Sequence, residues 1–212
     1  MTTPSIKFHP ALSLQRQAFL LETLRGCSPK SVLDVGCGEG LLLECLVRCD
    51  HLLPIEVLVG IDISLVQLRG AASLITASAT QQQQDGRWNS LDIVLLRGNA
   101  QKSHLSSGTF AQLTQEAAVF DAVVSTEVIE HLDPPEISKY WEIHLGILQP
   151  NRFIVTTPNR EFNALFEAVE EMSNTPGRSY RREGIPYRMR HDDHRFEYTR
   201  KEFEEEYYSV VP

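Results

Sequence analysis

Apolar and polar positions along the chain follow two patterns, short β-branched apolar runs and longer stretches with helical spacing. The runs predict five strands, over residues 31–35, 55–61, 91–96, 117–126 and 152–157. The helical spacing predicts helices over residues 13–25, 41–47, 65–75, 134–148, 161–173 and 203–208. Strands that alternate with helices indicate an α/β fold with a doubly wound, mostly parallel sheet.

Two of the predicted helices carry start signals. Asp133–Glu136 begins with an N-cap aspartate, a proline at the first helical position and a glutamate that can reach back to the cap. Thr199–Glu202 is a second capping pair. His144 falls on the apolar stripe of the 134–148 helix, so we expect a core histidine there rather than a metal ligand.

Polar stretches separate these elements. Residues 76–90 include the glutamine run Gln81–Gln84 and have low complexity, so we expect a surface loop. The pattern predicts a loop with a short helix over residues 102–114, and an irregular basic stretch over residues 175–190.

Length and composition are those of a single soluble domain. The chain has 212 residues, which suits one sizeable core, and no apolar run reaches the length of a membrane span. Residues 1–10 lack the features of a signal peptide. The four cysteines have no spacing that predicts a disulfide framework or a zinc site. We therefore expect reduced thiols in an intracellular, cytoplasmic protein.

Charge is distributed unevenly. The net charge is −8, which argues against a protein that coats nucleic acid over its whole surface. Residues 178–201 nevertheless contain eight basic and four acidic side chains, so this segment is net +4. Such a local patch could engage phosphates while the remainder stays acidic. The alternative is an ordinary solvated loop.

A glycine-rich turn follows the first predicted strand, where Gly36, Gly38 and Gly40 precede a helix. Glycines let the backbone turn tightly and approach a ligand, and the helix start offers unpaired N–H groups. Asp62 ends the second strand, where an acidic residue can accept both hydroxyls of a ribose. The spacing differs from the dinucleotide-binding fingerprint G-x-G-x-x-G, because the third glycine, Gly40, comes one residue too early. This order of elements predicts a site for an adenosine-containing cofactor.

The segment Glu127–His131 brings two carboxylates and an imidazole directly after the fourth predicted strand. If a helix begins at Glu127, then Glu130 and His131 lie three and four positions further on, and all three side chains share one face. Oxygen and nitrogen ligands on one face suit a catalytic divalent metal. The alternative is a solvated helix start, where acidic residues are also favoured.

The glycine turn resembles the first motif, D/E-x-G-x-G-x-G, of the class I S-adenosylmethionine-dependent methyltransferases. The matching residues are Asp34, Gly36, Gly38 and Gly40. This resemblance implies a Rossmann-like fold, S-adenosylmethionine as the cofactor and Asp62 as the ribose-binding acid. It also implies that Asn99 contacts the adenine, although an asparagine there can equally cap a turn.

Four motifs, in the same order along the chain, resemble the small-RNA 3′-terminal 2′-O-methyltransferases, which act on Piwi-associated, micro or short interfering RNAs. The family's E-x-x-E-H motif matches Glu127–His131, and its T-P-N stretch matches Thr157–Asn159. Its D-H-[KR]-F-E-[WY]-T-R segment matches Asp193–Arg200, and its F-x-P-x-L-x-x-Q-R motif matches Phe8–Arg16. The resemblance extends over residues 8–203.

This resemblance implies methyl transfer to the 2′-OH of the 3′-terminal nucleotide of a small RNA, assisted by Mg²⁺. Mn²⁺ or Co²⁺ would suit a mixed oxygen and nitrogen site at least as well. The implied metal ligands are Glu127, Glu130, His131 and His194. The general base stays open between His131, our first choice, and one of the glutamates. His191 matches no ligand position and is expected to be a loop residue.

The basic segment 178–201 surrounds His194 in sequence, so we expect it to hold the last phosphates of the RNA. The residues expected to bind RNA are Gln15, Arg16, Arg195 and Arg200. Such contacts are salt-sensitive and independent of base sequence. The partners implied are a small RNA 3′ end and an Argonaute- or Piwi-type protein that presents it. We expect no membrane partner and a monomeric protein.

The expected organisation is a single methyltransferase domain over residues 1–212. It comprises an N-terminal helix (1–30), a cofactor-binding core (31–160) and a segment that completes the substrate and metal sites (161–212). Sheets of this class usually finish with two further strands, one of them antiparallel. The C-terminal residues show no pattern for them, so we expect a sheet truncated there. The absence of a pattern for a second, duplex-gripping domain favours a single-stranded substrate.

Three other functions fit parts of the pattern. A metal-dependent O-methyltransferase of a small vicinal diol would chelate its substrate equally well, but it would not need the basic segment. A catalytically silent module that binds RNA 3′ ends is disfavoured by the intact ligand set. A metabolite methyltransferase without a metal would leave Glu127 and Glu130 as a helix start.

Overall fold

The fold is an open parallel sheet covered by helices on both faces. The computed structural model describes residues 8–49, 52–84, 90–99, 120–165, 180–181 and 183–210. The sheet strands are β1 (Ser31–Val35), β2 (Val57–Asp62), β3 (Asp92–Arg97), β4 (Ala122–Thr126) and β5 (Arg152–Thr156). All pairings are parallel, in the order β3-β2-β1-β4-β5. The predicted α/β class with a doubly wound parallel sheet is confirmed.

The helices follow the predicted positions closely. They are α1 (Leu12–Cys27), α2 (Leu41–Arg48), α3 (Leu65–Gln84), α4 (Pro134–Trp141) and α5 (Arg200–Val210). A π-helix over Glu142–Leu148 continues α4, and short 3₁₀ helices cover Ile129–His131 and Arg160–Phe162. Of the helix predicted over residues 161–173, the part from 166 onward lies outside the described residues.

Alternating side chains along the strands build two apolar layers. Val32 packs with buried leucines of α1 and α2 and with Ala71 of α3 on one face of the sheet. Leu33 points to the other face and packs with Ile143 and Leu148 of the π-helix. Because strand neighbours point to opposite faces, a strand buried on both faces is apolar throughout. The sheet is therefore enclosed, and its carboxyl ends form the accessible edge.

Both predicted capping signals are confirmed. The Asp133 backbone N–H donates to Glu136 Oε2 at 2.9 Å, which closes the start of α4. The Thr199 N–H donates to Glu202 Oε2 at 2.7 Å, and the Glu202 N–H donates back to the Thr199 hydroxyl at 3.2 Å. His144 is buried, as predicted: its ring stacks on Phe153 and its Nδ1 lies 2.7 Å from the Tyr140 carbonyl oxygen.

Two loop predictions are wrong. The expected loop over residues 76–90 is helical as far as Gln84, because α3 continues with good helix formers and packs Ala79 against the core. The expected irregular stretch 175–190 contains a small antiparallel pair, β6 (Tyr180–Arg181) with β7 (Arg188–Met189). The prediction for residues 102–114 and the first residues of the strand predicted over 117–126 lie outside the described residues.

The described residues supply no sixth strand to the main sheet. In the same parts of the chain, no helix combines the length and apolar character needed to cross a bilayer. Cys27, Cys37, Cys45 and Cys49 all carry free thiols.

Candidate functional site

The candidate site lies where the strand order reverses, between the carboxyl ends of β1 and β4. In open α/β sheets, ligands bind in the crevice at this switch point because the connections on either side leave in opposite directions. A cleft of about 790 Å³ opens there. Its lining includes the glycine turn after β1, Asp62 at the end of β2, Asn99 after β3, and Glu127 after β4.

The glycine turn has a backbone that only glycine adopts easily. Gly36, Gly38 and Gly40 have φ angles of +73°, +53° and +79°. A β-carbon on Gly36 or Gly40 would lie 2.4 Å from Val128 Cγ2 or 2.7 Å from Ala71 Cβ. A β-carbon on Gly38 would meet nothing within 4 Å. Gly36 and Gly40 are thus held by packing, whereas Gly38 leaves open space in the cleft.

Two aspartates stand beside the turn. Asp62 accepts hydrogen bonds from the Gly38 N–H at 2.9 Å and from the Ser64 N–H at 2.7 Å, so it fixes the turn against the start of α3. Asp34 is buried, and its Oδ1 has no hydrogen-bond partner among the described residues. Burial, and then the charge of Asp62, raise the pKa of Asp34 to about 7.

The open space at Gly38 and the unpartnered Asp34 oxygen fit a ligand that fills the cleft and donates hydrogen bonds. Both features lie in the motif that implies S-adenosylmethionine, and Asn99 lines the far side of the same cleft. A cleft of this volume is within the range that holds a small cofactor. Of the residues predicted for cofactor binding, Asp34, Gly36, Gly38, Asp62 and Asn99 line this cleft, whereas Gly40 lies behind it against Ala71.

The Glu127–His131 segment does not form the predicted helix. Glu127 has a left-handed φ of +55°, and its N–H donates to the Thr156 carbonyl of β5 at 2.9 Å. The chain becomes helical only at Ile129, in the single 3₁₀ turn Ile129–His131. A helix that begins at Glu127, the condition for all three side chains to share a helical face, does not form, because a hydrogen bond to β5 holds Glu127 before the turn.

The turn nevertheless brings distant ligand atoms together. Glu130, His131 and His194 each offer one ligand atom, and these atoms lie within 4.8 Å of one another. The His131 and His194 rings meet edge to face, with centroids 5.0 Å apart. The Arg195 N–H donates to the Glu130 carbonyl oxygen at 2.7 Å, which docks the 191–197 segment against the turn. A ligand from the C-terminal part of the chain thus completes a cluster begun after β4.

Glu130 is the most enclosed member of this cluster. It has no exposed surface, its Oε2 accepts a hydrogen bond from the Thr157 hydroxyl at 3.0 Å, and its Oε1 has no partner among the described residues. Burial raises the pKa of Glu130 to about 8, and the charge of Glu127 adds to this effect. Burying a carboxylate is costly unless it is paired or binds a metal. The donor set and the unpartnered oxygen fit a divalent cation.

His131 and Glu127 lie on the cleft side of the cluster. Burial lowers the pKa of His131, against an opposing effect of Asp193, whose Oδ2 lies 3.3 Å from His131 Nδ1. Glu127 is not among the three clustered ligands; its Oε2 is 3.3 Å from Arg16 Nη1, and its Oε1 is 3.4 Å from the Thr156 hydroxyl. Both Arg16 and Glu127 line the cleft.

Glu197 supports the cluster, although the sequence predicts no role for it. Its Oε1 accepts from His194 Nδ1 at 2.7 Å and from the Arg190 N–H at 2.7 Å. Its Oε2 accepts from Asn163 Nδ2 at 2.6 Å. Burial alone would raise the pKa of Glu197, but these hydrogen bonds, led by that from His194, lower it. The His-x-x-Glu spacing was the available sequence signal.

The residues predicted to bind RNA occupy different positions around this site. Arg16 lines the cleft, whereas Gln15 is exposed and donates to the Pro10 carbonyl oxygen at 2.7 Å. Arg195 Nε lies 3.4 Å from Asp133 Oδ1. Arg200 lines a separate groove of about 240 Å³ that also includes Thr157, the residue bonded to Glu130. Arg178 and Arg182 of the basic segment lie outside the described residues.

The parallel sheet, the glycine turn and the acid at the end of β2 together define a Rossmann-like methyltransferase. Residues 12–207 match the family model described as a methyltransferase domain. The chain belongs to this methyltransferase family.

Curated proteins of known name are similar to this chain over nearly its whole length. The chain is 35% identical over 204 residues to the small RNA 2′-O-methyltransferase of Schizosaccharomyces pombe, covering 96% of this chain and 50% of that protein. It is 32% identical over 203 residues to the protein of the same name from Gallus gallus, covering 95% and 46%. The chain thus spans about half the length of these curated relatives.

Solved structures agree with this comparison. The small RNA methyltransferase HEN1 superposes with a TM-score of 0.76 at 26% identity, over 99% of this chain and 22% of that one. The methyltransferase domain of bacterial CtHen1-C superposes with a TM-score of 0.66 at 28% identity, over 94% and 83%. The predicted resemblance to the small-RNA methyltransferases is confirmed.

Proposed function

We propose that this domain transfers a methyl group from S-adenosylmethionine to the 2′-OH of the 3′-terminal nucleotide of a small single-stranded RNA, in a metal-dependent reaction. The observation that carries the proposal is the shared site: the cofactor cleft and the Glu130, His131 and His194 cluster meet at the Glu127–His131 segment. The similarity to proteins named small RNA 2′-O-methyltransferase supports the choice of substrate.

Each proposed cofactor residue would contact a different part of S-adenosylmethionine. The open space at Gly38 would admit the cofactor, and Asp34 would accept hydrogen bonds through its unpartnered oxygen. Asp62 keeps further lone pairs beyond its two backbone bonds and would accept the ribose hydroxyls, while Asn99 would meet the base. S-adenosylmethionine, when bound, supplies an electrophilic methyl group on its sulfonium.

The proposed metal ligands are Glu130, His131 and His194, with Glu127 as a fourth once it exchanges its ion pair with Arg16. A divalent cation, when bound, supplies Lewis acidity that makes a ribose hydroxyl a better nucleophile at neutral pH. Thr157 and Glu197 hold two of these ligands in place through hydrogen bonds. Such fixed geometry supplies much of the rate enhancement in a transfer between two bound substrates.

The proton of the attacking hydroxyl needs an acceptor that reaches the cleft. His131 remains our first choice, because it is half-buried beside the cleft and burial lowers its pKa, which favours the neutral ring. The ring nitrogen that does not hold the metal would take the proton. Of the two glutamates, Glu127 fits the role better than Glu130. Glu127 lines the cleft, whereas Glu130 has no exposed surface.

Basic side chains around the cluster would hold the RNA backbone. Arg16 lies in the cleft, and Arg195 and Arg200 follow His194 along the chain. Phosphate contacts of this kind position a strand without reading its bases, so we propose recognition of an end rather than of a sequence. From the family resemblance we further propose a monomeric enzyme, a cytoplasmic role in RNA-mediated gene silencing, and presentation of the RNA by an Argonaute- or Piwi-type protein.

The test uses labelled S-adenosylmethionine with a short RNA, with the same RNA carrying a 2′-deoxy or 3′-phosphate end, and with catechol. Each substrate is incubated with and without EDTA. We expect label only on the unblocked RNA and only without chelator. Transfer to blocked ends, or transfer that survives EDTA, would contradict the proposed mechanism. Labelling of catechol alone would favour the small-diol enzyme instead.

A further inference from the structure

Glu197 is a buried carboxylate next to the ligand cluster but outside it. Only 1% of the residue is exposed. The side chain belongs to the segment that folds back onto the turn after β4, and it lies three positions after His194. Removing a carboxylate from water is costly, so its burial requires compensating donors.

Three donors from three places in the chain converge on Glu197. These are His194 Nδ1 and the Arg190 N–H on Oε1, and Asn163 Nδ2 on Oε2. Asn163 is itself fixed, because the same nitrogen donates to the Arg188 carbonyl oxygen at 3.0 Å. The carboxylate therefore has one available position, and the His194 ring must orient to suit it.

The bond to Nδ1 determines which nitrogen of His194 can coordinate. A carboxylate at Nδ1 holds the proton there, so Nε2 carries the lone pair. Metal-binding histidines commonly donate their second nitrogen to a carboxylate, which fixes the ring and raises its basicity. The carboxylate near His131 Nδ1 is that of Asp193, which is 56% exposed and lies 3.3 Å away, so it constrains that ring less tightly.

We propose that Glu197 is a positioning residue that orients His194, through Nδ1, so that Nε2 faces Glu130 and His131. This inference rests on the metal centre of the proposed function. It assigns Glu197 to the metal site rather than to general stability, and it assigns Asn163 the task of holding Glu197.

The first experiment measures Co²⁺ affinity of the whole protein by titration calorimetry, with S-adenosylmethionine affinity as the check on folding. Glu197→Gln keeps the shape but removes the charge, and it should weaken Co²⁺ binding by about 10- to 100-fold while leaving cofactor affinity unchanged. Glu202→Gln is the matched control, because Glu202 accepts hydrogen bonds from Thr199 and pairs with Arg160 at the start of α5. It should lower Tm without weakening Co²⁺ binding.

The second experiment needs no variant to fold. Nitrogen-15 NMR of the metal-free wild-type imidazoles should show His194 in a single tautomer, protonated at Nδ1. A His194 ring protonated at Nε2 would overturn the inference, and so would a folded Glu197→Gln protein with wild-type Co²⁺ affinity. Failure of the wild-type protein to bind any Co²⁺ would overturn the proposed metal centre, and this inference with it. Wild-type binding that Glu197→Gln leaves unchanged would overturn this inference alone.

Discussion

Val128 packs against Gly36 so closely that a β-carbon on the glycine would lie 2.4 Å from its Cγ2 methyl. Gly36 begins the glycine turn, and Val128 lies between Glu127 and the 3₁₀ turn that carries Glu130 and His131. A β-branched side chain has few alternative rotamers with which to avoid such a clash. The glycine turn and the Glu127–His131 segment therefore depend on each other's position.

Gly36→Ala should damage both halves of the site at once. The substitution combines a φ of +73° with the clash against Val128, and we expect a loss of at least about 1 to 3 kcal/mol of folding free energy. Affinities for S-adenosylmethionine and for Co²⁺ should both fall. Thermal unfolding and the two titrations check this.

Two further variants test whether the effect of Gly36→Ala comes from its clash with Val128. Gly38→Ala has open space around the new methyl group but a left-handed φ of +53°, so it should lower stability modestly and weaken cofactor binding while sparing the metal. Val128→Ala in the Gly36→Ala background removes the clash and should recover part of the lost stability. Strictly additive effects in this double-mutant cycle would show that the two residues are not coupled.

Glu130→Ala should abolish metal binding and turnover but preserve cofactor binding. Loss of a residue that merely supports a ligand costs about 10- to 100-fold in affinity, so loss of a buried ligand should cost more. Glu136→Ala is the control, because Glu136 only caps α4. If Glu130→Ala loses cofactor affinity as well, the cluster serves the fold rather than a metal.

Arg16→Ala should weaken RNA binding more than it weakens the fold. Its side chain is 34% exposed and pairs with Glu127, an arrangement that contributes about 1 kcal/mol or less to stability. One lost phosphate contact should reduce the slope of log K against log salt by about 1. Arg25→Ala, at the exposed end of the same helix, should leave the slope unchanged. Equal slopes of log K against log salt for both variants would show that Arg16 does not contact an RNA phosphate.

His144 should make the folded state sensitive to acid. Burial lowers its pKa from 6.5 to about 4, so the unfolded chain binds the extra proton between these pH values. Stability contributed by neutral His144 is therefore present above pH 6.5 and is lost as the pH falls towards 4. His144→Phe keeps the stack on Phe153 and should reduce the slope by up to about 1.4 kcal/mol per pH unit. Urea unfolding from pH 4.5 to 7.5 measures this; parallel curves for the two proteins would contradict it.

The order of strands and helices was predictable because it depends on apolar spacing that is visible locally. β1 coincides with the run predicted at residues 31–35, and the glycine turn follows as expected. The helical part of residues 76–90 was missed for an avoidable reason. Low complexity does not by itself predict a loop, because alanine and glutamine favour helices. The Ser78 hydroxyl on this helix donates to Glu44 of α2 at 2.8 Å, a contact that only the structure reveals.

The details of the candidate site depend on contacts between distant residues. The left-handed backbone of Glu127 has no local signal, since it follows from a hydrogen bond to Thr156 in another strand. The position of Glu197 likewise depends on Asn163, which comes from a different part of the chain. Motif spacing could therefore single out candidate residues for the site, whereas their arrangement required the fold.

The cluster joins Glu130, just after β4, to His194, beyond β7. A cation bound to both would act as a reversible cross-link around the intervening chain, which includes β5. It would stabilise the native state by mass action. Once the free ion is in excess of Kd, the free energy of unfolding would rise with the logarithm of the ratio of free ion concentration to Kd. The supply of metal in the cell would then govern resistance to proteolysis as well as turnover.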